Sequence, residues 1–451
     1  MQDIPQVGQL VELNVLTLNG AVTHRGIVLP PSMKEHITLK LENGYNVNYP
    51  LDAITSWQGL ELTSANEIQT QASTITMNED LPRVRLIHTG GTIASKVDYS
   101  TGAVNARFEP EELLEAIPEL ATIAHLDAIK LGNMFSDDIR PQHWNSMIDA
   151  CQAAFEDGCK GVVITHGTDT LHISASAIGF AFAAQGGAPS GPIVFVGSQR
   201  SSDRGSSDAT ENLLAAVYWA ANAPPPLGSA GDSSVVMMHA TQDDGTIAAH
   251  SAFAVRKLHS SRRDAFQSVN GHPLGWVRTV GREQSMDLHP NYATLQEHHE
   301  ETQPQPPTHF MPDQRIGQFM AGPWLRSEEI EAVLASGCQA IVIHGTGLGH
   351  VPIEDTQGDA PENTELWKAF MRCKNRDIPV LVVNQCIHGP VDMHVYSKGR
   401  KQLELGFLGH GMHSSPETMV VKLHWALSNS AQLADTMASN LCGEHRENLY
   451  E

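Results

Sequence analysis

The chain carries two similar strand-to-turn segments, VRLIHTGGT at residues 84–92 and GVVITHGTDT at residues 161–170. Each begins with a run of apolar and β-branched residues, which is typical of a buried strand, and ends in a turn that combines glycine with threonine. Further along, apolar strands at residues 193–196 and 235–238 alternate with a helical pattern around residues 212–221. A βαβ series of this kind predicts an α/β fold with a mostly parallel sheet and a ligand site at the carboxyl ends of its strands.

The rest of the chain divides around this α/β body. Residues 1–62 contain short alternating runs separated by glycine, proline and Asn-Gly signals, which predict a small β-barrel module with a docking or spacer role. Residues 63–82 are polar and are assigned to a linker, and residues 83–280 are assigned to a large α/β domain that holds the catalytic motifs. A second polar stretch, residues 281–314, is assigned to another linker, and residues 315–451 are assigned to a smaller α/β domain.

The charge of the chain limits its partners. The 451 residues include 51 acidic and 29 basic side chains, which give a formal net charge of −22. A protein this acidic is repelled by nucleic acid phosphates unless a local basic patch intervenes, so a role with RNA requires help from another protein. The small number of lysines and arginines is also consistent with adaptation to a saline habitat.

Several classes of protein are excluded by what the sequence lacks. No apolar run approaches the roughly 18 residues needed to span a bilayer, so we expect no membrane partner. The N-terminus has no basic segment followed by an apolar one, and the six cysteines include no CxxC pair, which favours a cytoplasmic protein with reduced thiols. Because neither a P-loop nor a metal-ligand spacing such as HExxH occurs, we expect no cofactor and no metal in this chain.

The two glycine-threonine turns are the first candidates for catalysis. A threonine hydroxyl beside glycine at a strand tip lets a small substrate approach the backbone closely, and amide N–H groups there can face a developing oxyanion. Threonine is a poor nucleophile without a base, and a desolvated lysine can serve as that base. Lys257 is the candidate, with Asp169 to orient it. The alternative interpretation is an ordinary turn in which threonine caps the next helix.

These residues also carry a resemblance to a known family. The segments at residues 86–95 and 164–171, in this order, are similar to the two signatures of the bacterial-type L-asparaginase family. Residues 133–138 resemble the substrate-carboxylate loop of that family, and the turn at residues 345–350 matches its smaller domain. The resemblance implies an asparaginase-like two-domain body with parallel sheets over about residues 84–430.

The β module ahead of this body, together with RKLHSSRRDAF at residues 256–266, resembles the GatD family of archaeal glutamyl-tRNA(Gln) amidotransferases. In that family, the GatD protein hydrolyses glutamine to glutamate and ammonia. Its partner, the E-type amidotransferase protein, binds the tRNA, activates the misattached glutamate with ATP and Mg, and amidates Glu-tRNA(Gln) to Gln-tRNA(Gln). The resemblance therefore implies a homodimer within a heterotetramer, with tRNA(Gln) bound mainly through the E-type partner and ATP used only by that partner.

The resemblance also assigns site residues at matching positions. Thr92 corresponds to the nucleophile that forms the acyl-enzyme. In a second triad, Lys257 is the base, Asp169 contacts Lys257 and the substrate α-amino group, and Thr168 relays a proton or activates water. Backbone N–H groups near Thr92 and Thr168 form the oxyanion hole. Four further residues are implied in substrate binding: Ser136, Asp137, Gly91 and Gly167.

One departure from the family concerns the loop after the first motif. Many free asparaginases place a tyrosine there soon after a glycine, whereas here Gly102 is followed by Ala103, and Tyr99 lies earlier. This suits an enzyme whose loop is organised by a partner, so we expect low glutaminase activity from the isolated chain. Two other functions stay open: a free cytosolic L-asparaginase, and a catalytically silent scaffold that binds an amino acid or a partner. The intact Thr92 and Lys257 argue against the scaffold.

Two further groups of residues are interpreted as structural. Arg262 and Arg263 form the densest basic pair of the catalytic body, and we expect them to form salt bridges, with an acidic partner surface or a phosphate as the alternative. His166 and His172 flank the second motif and are expected to pack or to hydrogen-bond around its turn.

Overall fold

The computed structural model describes residues 4–17, 20–31, 35–41, 46–60, 78–91, 95–97, 104–106, 117–200, 207–280, 283–298 and 303–445. Within these ranges the chain forms an N-terminal β unit, a large α/β domain and a smaller α/β domain. Most of the linker assigned to residues 63–82 lies outside the described residues. None of the helices in these ranges is both long and apolar enough to cross a membrane.

The N-terminal unit is a five-stranded antiparallel sheet. Its strands, in chain order, are β1 Leu10–Thr17, β2 Gly20–Leu29, β3 His36–Leu41, β4 Asn46–Pro50 and β5 Ile54–Gly59. Their order in the sheet is β4-β3-β2-β1-β5. The strands β4 and β5 are therefore the two opposite edges, although only a 3-10 turn, Leu51–Ala53, separates them along the chain.

This short connection requires the sheet to curl. A flat sheet of five strands sets its edges about 19 Å apart, whereas four residue steps reach only about 14 Å. The curl encloses a core of six buried aliphatic side chains: Val11, Leu13, Val15, Val28, Ile37 and Leu39. The predicted small β domain is thus confirmed, as an open curled sheet and not a closed barrel, because β4 and β5 do not pair within the described residues.

The large domain is built on a mixed sheet of eight strands. Five of them run parallel, in the spatial order β9 His125–Lys130, β6 Arg83–His88, β10 Gly161–Thr165, β11 Ile193–Val196 and β12 Val235–His239. Three more extend the sheet in antiparallel fashion, namely β13 Thr246–Ser251, β16 Gly275–Val280 and β17 Glu283–Leu288. Two short hairpins lie outside it, β7 Ser95–Val97 with β8 Val104–Ala106, and β14 Val255–Lys257 with β15 Phe266–Ser268. The central strands β10, β11 and β12 are buried along their whole length, which explains their continuous apolar sequences.

Helices cover both faces of this sheet. The helices α1 Pro141–Glu156 and α2 Leu171–Ala183 share one core with Ile164, whereas α3 Ala209–Asn222 shares the opposite core with Val163. Successive residues of β10 thus face opposite cores, as the alternation of a strand requires. The carboxyl ends of the parallel strands are left open for a site.

The smaller domain carries three parallel strands, in the order β18 Ile316–Met320, β19 Ala340–Gly345 and β20 Val380–Asn384. After β17 the chain forms α4 Pro290–His298, and the smaller domain adds α5 Ser327–Ala335, α6 Pro361–Asn375, α7 Ser397–Glu404, α8 Pro416–Asn429 and α9 Leu433–Ala438. The helix α8 packs against α2 of the large domain, and buried residues of both domains join one core. The hydroxyls of Ser176 and Thr418 are 3.1 Å apart across this contact.

The assignment of residues 281–314 to a linker does not hold over residues 283–298. This stretch forms the edge strand β17 and the helix α4. Its polar composition has a physical cause, because an edge strand leaves one face in solvent and α4 buries only Tyr292 among its residues. Composition alone therefore does not separate a solvent-facing edge from a linker.

A buried ion pair fastens the C-terminal segment to α8. The Nζ atom of Lys422 lies 2.6 Å from Oε1 of Glu444, and both side chains are fully buried. Burial raises the pKa of Glu444, but the Lys422 ammonium and the N–H groups of Leu441 and Cys442 outweigh it and hold the pKa below its ordinary value. Glu444 is therefore a buried carboxylate whose charge is balanced by Lys422.

We expect Glu444→Gln to destabilise the fold by about 3 kcal/mol, because it leaves the Lys422 ammonium buried without its counter-charge. The midpoint of urea unfolding measures this effect. Lys368→Met is the control, because Lys368 pairs with Glu365 at the surface and such a pair is worth less than about 1 kcal/mol. Similar midpoints for the two variants would contradict the prediction.

Candidate active site

The two sequence motifs meet at the carboxyl edge of the large sheet. The strands β6 and β10 are parallel neighbours, and their register sets His88 beside Thr165. Two hydrogen bonds join the start of the first turn to the end of β10. The backbone N–H of Thr89 donates to the carbonyl of Thr165 at 3.2 Å, and the Thr89 hydroxyl donates to the same carbonyl at 2.8 Å. The two glycine-threonine turns therefore begin side by side.

Glycine allows these turns to touch. Gly91 has φ +94°, and a Cβ there would lie 2.5 Å from the backbone nitrogen of Gly167. Gly90 has φ +124°, and its Cβ would lie 2.4 Å from the carbonyl oxygen of Met134. Both the left-handed backbone and the lack of space exclude a side chain. Three backbone segments, around Gly91, Met134 and Gly167, consequently share one narrow space.

Ser136 joins the loop at residues 133–138 to the second motif. Its side chain is buried, its Oγ accepts a hydrogen bond from the backbone N–H of Asp169 at 3.2 Å, and its carbonyl accepts one from the hydroxyl of Thr170 at 2.5 Å. A Cβ on Gly167 would lie 2.9 Å from the Cβ of Ser136. The neighbouring Asp137 is exposed. The structure thus brings Ser136, Asp137, Gly91 and Gly167 to one place.

Lys257 completes a triad with Thr168 and Asp169. Its Nζ donates to Thr168 Oγ1 at 2.8 Å and to Asp169 Oδ1 at 2.8 Å. The Lys257 side chain is 9% exposed whereas that of Asp169 is 69% exposed, so the amine is shielded while the carboxylate faces solvent. An amine within hydrogen-bond reach of a hydroxyl can pass a proton to and from it.

The remaining predicted catalytic residue, Thr92, lies outside the described residues, as do Tyr99 and Gly102. Its role as the nucleophile stays a prediction. The residue before it, Gly91, is described and places the chain beside the second motif.

His166 supports the second turn and takes the structural role expected for it. Its Nδ1 lies 2.7 Å from the carbonyl of Gly167, so this nitrogen carries the proton, and its Nε2 lies 2.9 Å from the hydroxyl of Ser174. Trp144 donates to the same hydroxyl at 3.1 Å. Burial lowers the pKa of His166 to about 4, so the imidazole is neutral near pH 7.

Arg256 connects the smaller domain to the site through an ion pair. It precedes Lys257 in β14, and its guanidinium lies 2.9 Å from Oε1 of Glu417, in the first turn of α8. Glu417 could not be predicted from the sequence, because no local sequence pattern marks a carboxylate that acts across two domains.

The expected salt bridges of Arg262 and Arg263 are confirmed, with Asp264 and Asp244 as their partners.

We expect Gly91→Ala to abolish detectable turnover, because the methyl group would collide with the backbone of Gly167 and push the motifs apart. Steady-state kinetics of glutamine hydrolysis, the reaction that the family resemblance implies, measure this loss in the purified variant combined with its partner protein. Gly322→Ala is the control, since nothing lies within 4 Å of the position that its Cβ would take. Full activity of Gly91→Ala would contradict the close backbone contact.

Buried histidines should make the fold sensitive to acid. Burial lowers the pKa of His166, His172 and His250 to about 4, against about 6.5 in an unfolded chain. The unfolded state therefore binds more protons between these values, and the free energy of unfolding should fall as the pH drops from about 6.5 to about 4. Urea unfolding at a series of pH values measures this slope.

His250→Asn should reduce the slope, whereas His298→Asn, at an exposed position of α4, should leave it unchanged. A free energy of unfolding that stays constant from pH 7 to pH 5 would contradict the expected coupling.

Family models match the three units of the chain. Residues 83–291 match the N-terminal asparaginase domain, residues 315–438 match the glutaminase/asparaginase C-terminal domain, and residues 10–52 match the GatD N-terminal domain.

Two solved structures share the fold of the two asparaginase-type domains. The thermostable L-asparaginase from Thermococcus kodakarensis has a TM-score of 0.63 at 27% identity and covers 81% of this chain and 100% of its own. The probable cytoplasmic L-asparaginase from Campylobacter jejuni has a TM-score of 0.62 at 22% identity, covering 80% and 99%.

Curated relatives match nearly the whole chain. The D-type component (GatD) of the glutamyl-tRNA(Gln) amidotransferase from Sulfolobus acidocaldarius is 35% identical over 443 residues, which cover 97% of this chain and 91% of that protein. The protein of the same name from Methanobrevibacter smithii is 32% identical over 447 residues, which cover 98% and 94%. With its N-terminal β unit, its two asparaginase-type domains and this similarity, the chain belongs to the GatD family of glutamyl-tRNA(Gln) amidotransferases.

Proposed function

We propose that this chain is the glutamine-hydrolysing component of a glutamyl-tRNA(Gln) amidotransferase, which releases ammonia for the conversion of Glu-tRNA(Gln) to Gln-tRNA(Gln). The observation that carries the proposal is the triad in which Lys257 Nζ lies 2.8 Å from both Thr168 Oγ1 and Asp169 Oδ1. It occurs in a chain that matches GatD proteins over 97% of its length.

The proposed reaction proceeds through an ester. The hydroxyl oxygen of Thr92 bonds to the side-chain amide carbon of glutamine, and its proton passes through Thr168 to Lys257, which acts as the base. The tetrahedral intermediate collapses, the C–N bond breaks, and the nitrogen leaves as ammonia with the returned proton. Water then adds to the ester carbon with the help of the same relay, which releases glutamate and restores Thr92.

The two touching turns supply the electrostatic part of this mechanism. Backbone N–H groups near Thr92 and Thr168 would face the oxygen that becomes negative in the intermediate, and each such donor is typically worth about 3 kcal/mol. Because Gly91 and Gly167 carry no side chains, the substrate amide can approach these groups closely.

The amino-acid head of glutamine would bind beside the triad. Ser136 and Asp137 come from the loop that the first motif contacts, and the carboxylate of Asp169 is 69% exposed. An exposed carboxylate suits the substrate α-amino group, while Ser136 holds the backbone of Asp169 in place through its hydroxyl. Binding and proton transfer would thus share Asp169.

We further propose that the remaining steps belong to a partner. The net charge of −22 disfavours RNA binding by this chain alone. The E-type amidotransferase partner would bind tRNA(Gln), use ATP and Mg to activate the glutamate, and amidate it, with this chain as a homodimer within a heterotetramer. A reaction on aminoacyl-tRNA would take place in the cytoplasm.

We expect Lys257→Met to lower glutamine-dependent formation of Gln-tRNA(Gln) by about a thousand-fold, because it removes the base of the triad. The assay combines the chain with the E-type partner, Glu-tRNA(Gln), ATP and glutamine. Ammonium chloride in place of glutamine should restore product formation, since it supplies the ammonia directly. Lys368→Met, a surface change, is the control.

Several outcomes would count against the proposal. Full glutamine-dependent activity of Lys257→Met would remove the triad from the mechanism, and a trapped acyl group on Thr168 would remove Thr92 as the nucleophile. If the wild-type chain forms no product with its partner but hydrolyses free asparagine rapidly, it is a free L-asparaginase.

A further inference from the structure

Lys257 stands at the end of a hairpin that is small by itself. The strands β14 and β15 have three residues each, and Lys257 pairs with Phe266 across them. The loop at residues 258–265 is closed by one backbone hydrogen bond, from Leu258 N–H to the Ala265 carbonyl at 2.7 Å. An isolated two-stranded hairpin is marginally stable in water, so other contacts must hold Lys257 in place.

Phe266 provides one of these contacts. Its side chain is buried, and its ring lies 6.2 Å from the ring of His172 in α2. This contact holds one side of the hairpin against the core. It does not hold the loop at residues 258–265, which needs contacts of its own.

Arg263 holds the loop against the large sheet. Its guanidinium donates to the carbonyl of Gln242 at 3.1 Å and to Nε2 of His239 at 2.8 Å, and it pairs with Asp244 at 2.6 Å. Its side chain is 12% exposed. The adjacent Arg262 differs, since its side chain is 44% exposed and pairs with Asp264 inside the same loop.

The acceptor His239 is itself firmly placed. It ends β12, is fully buried, and has Nδ1 at 2.6 Å from Oδ1 of Asn212. The amide nitrogen of Asn212 donates to the Gly197 carbonyl and to Asp208, both at 3.0 Å. Asn212 therefore offers its oxygen to His239, so Nδ1 of His239 carries a proton.

The other ring nitrogen, Nε2, lies 2.8 Å from the Arg263 guanidinium and 3.0 Å from Oε2 of Glu211. The negative charges of Glu211 and Asp244 attract the guanidinium. Arg263 occupies the centre of what would otherwise be an acidic cluster.

We propose that Arg263 is a positioning residue for Lys257, because it ties the loop of the catalytic hairpin to the end of β12 and to the segment that follows that strand. The inference rests on the proposed function, since it assigns Lys257 the role of base. Five residues separate Arg263 from Lys257, and the loop between them is exposed at residues 259–262. Without Arg263 the hairpin loses its contact with β12, and Nζ of Lys257 is no longer held between Thr168 and Asp169.

The test compares Arg263→Gln with Arg262→Gln in the assembled complex with glutamine as the substrate. We expect kcat of Arg263→Gln to fall at least about ten-fold, because misplacing a reacting group by about 1 Å can cost a hundred-fold. KM should change less than kcat, since Ser136 and Asp137 do not belong to the hairpin. Arg262→Gln should retain the wild-type kcat.

Arg263→Lys supplies the second variant. It keeps the charge near Asp244 but cannot reach all three acceptors, so its kcat should lie between those of the wild type and Arg263→Gln. If Arg263→Gln matches Arg262→Gln in kcat, or if KM carries the whole change, the positioning role is overturned. Absence of glutamine turnover in the wild-type complex would instead count against the proposed function.

Discussion

The whole site depends on the close approach of two backbones, at Gly91 and Gly167. Because β6 and β10 are parallel and His88 pairs with Thr165, the two turns begin at the same level of the carboxyl edge of the sheet. They can then meet because Gly91 has no side chain, and the absence of a side chain on Gly167 leaves room for Ser136. Ser136 packs against the same point from a third segment and binds the backbone of Asp169. These contacts set the position of the turn that carries Thr168 and Asp169, the two triad residues that Lys257 approaches.

Around this centre, the polar groups are supported from several elements at once. His166 holds the second turn through the Gly167 carbonyl and is itself held by Ser174 of α2. Arg256 anchors the catalytic strand to Glu417 of the smaller domain. Within this support the side chain of Lys257 is shielded from solvent, whereas the side chain of Asp169, which it contacts at 2.8 Å, is exposed. Pre-oriented groups of this kind avoid the free-energy cost of reorganising during the reaction.

The parallel sheet and its two turns could be predicted from sequence because their signals are local. An unbroken apolar run marks a buried strand, as in β10, and glycine with threonine marks the turn that follows. Residue chemistry marks Lys257 as a candidate base, but no local pattern shows that it reaches Thr168, since that contact is made between distant segments. Glu417 and His239 could not be predicted for the same reason. The strand β17 was missed because one of its faces lies in solvent and its composition resembles that of a linker.

The core shared by the two asparaginase-type domains has a mechanical consequence. Because α2 and α8 bury their side chains against each other, and Arg256 and Glu417 join the domains beside the site, a hinge opening would expose apolar surface and break an ion pair together. The body should therefore behave as one rigid block during turnover. Glutamine would then reach the triad from the solvent side, where the carboxylate of Asp169 is exposed, without a movement of one domain against the other.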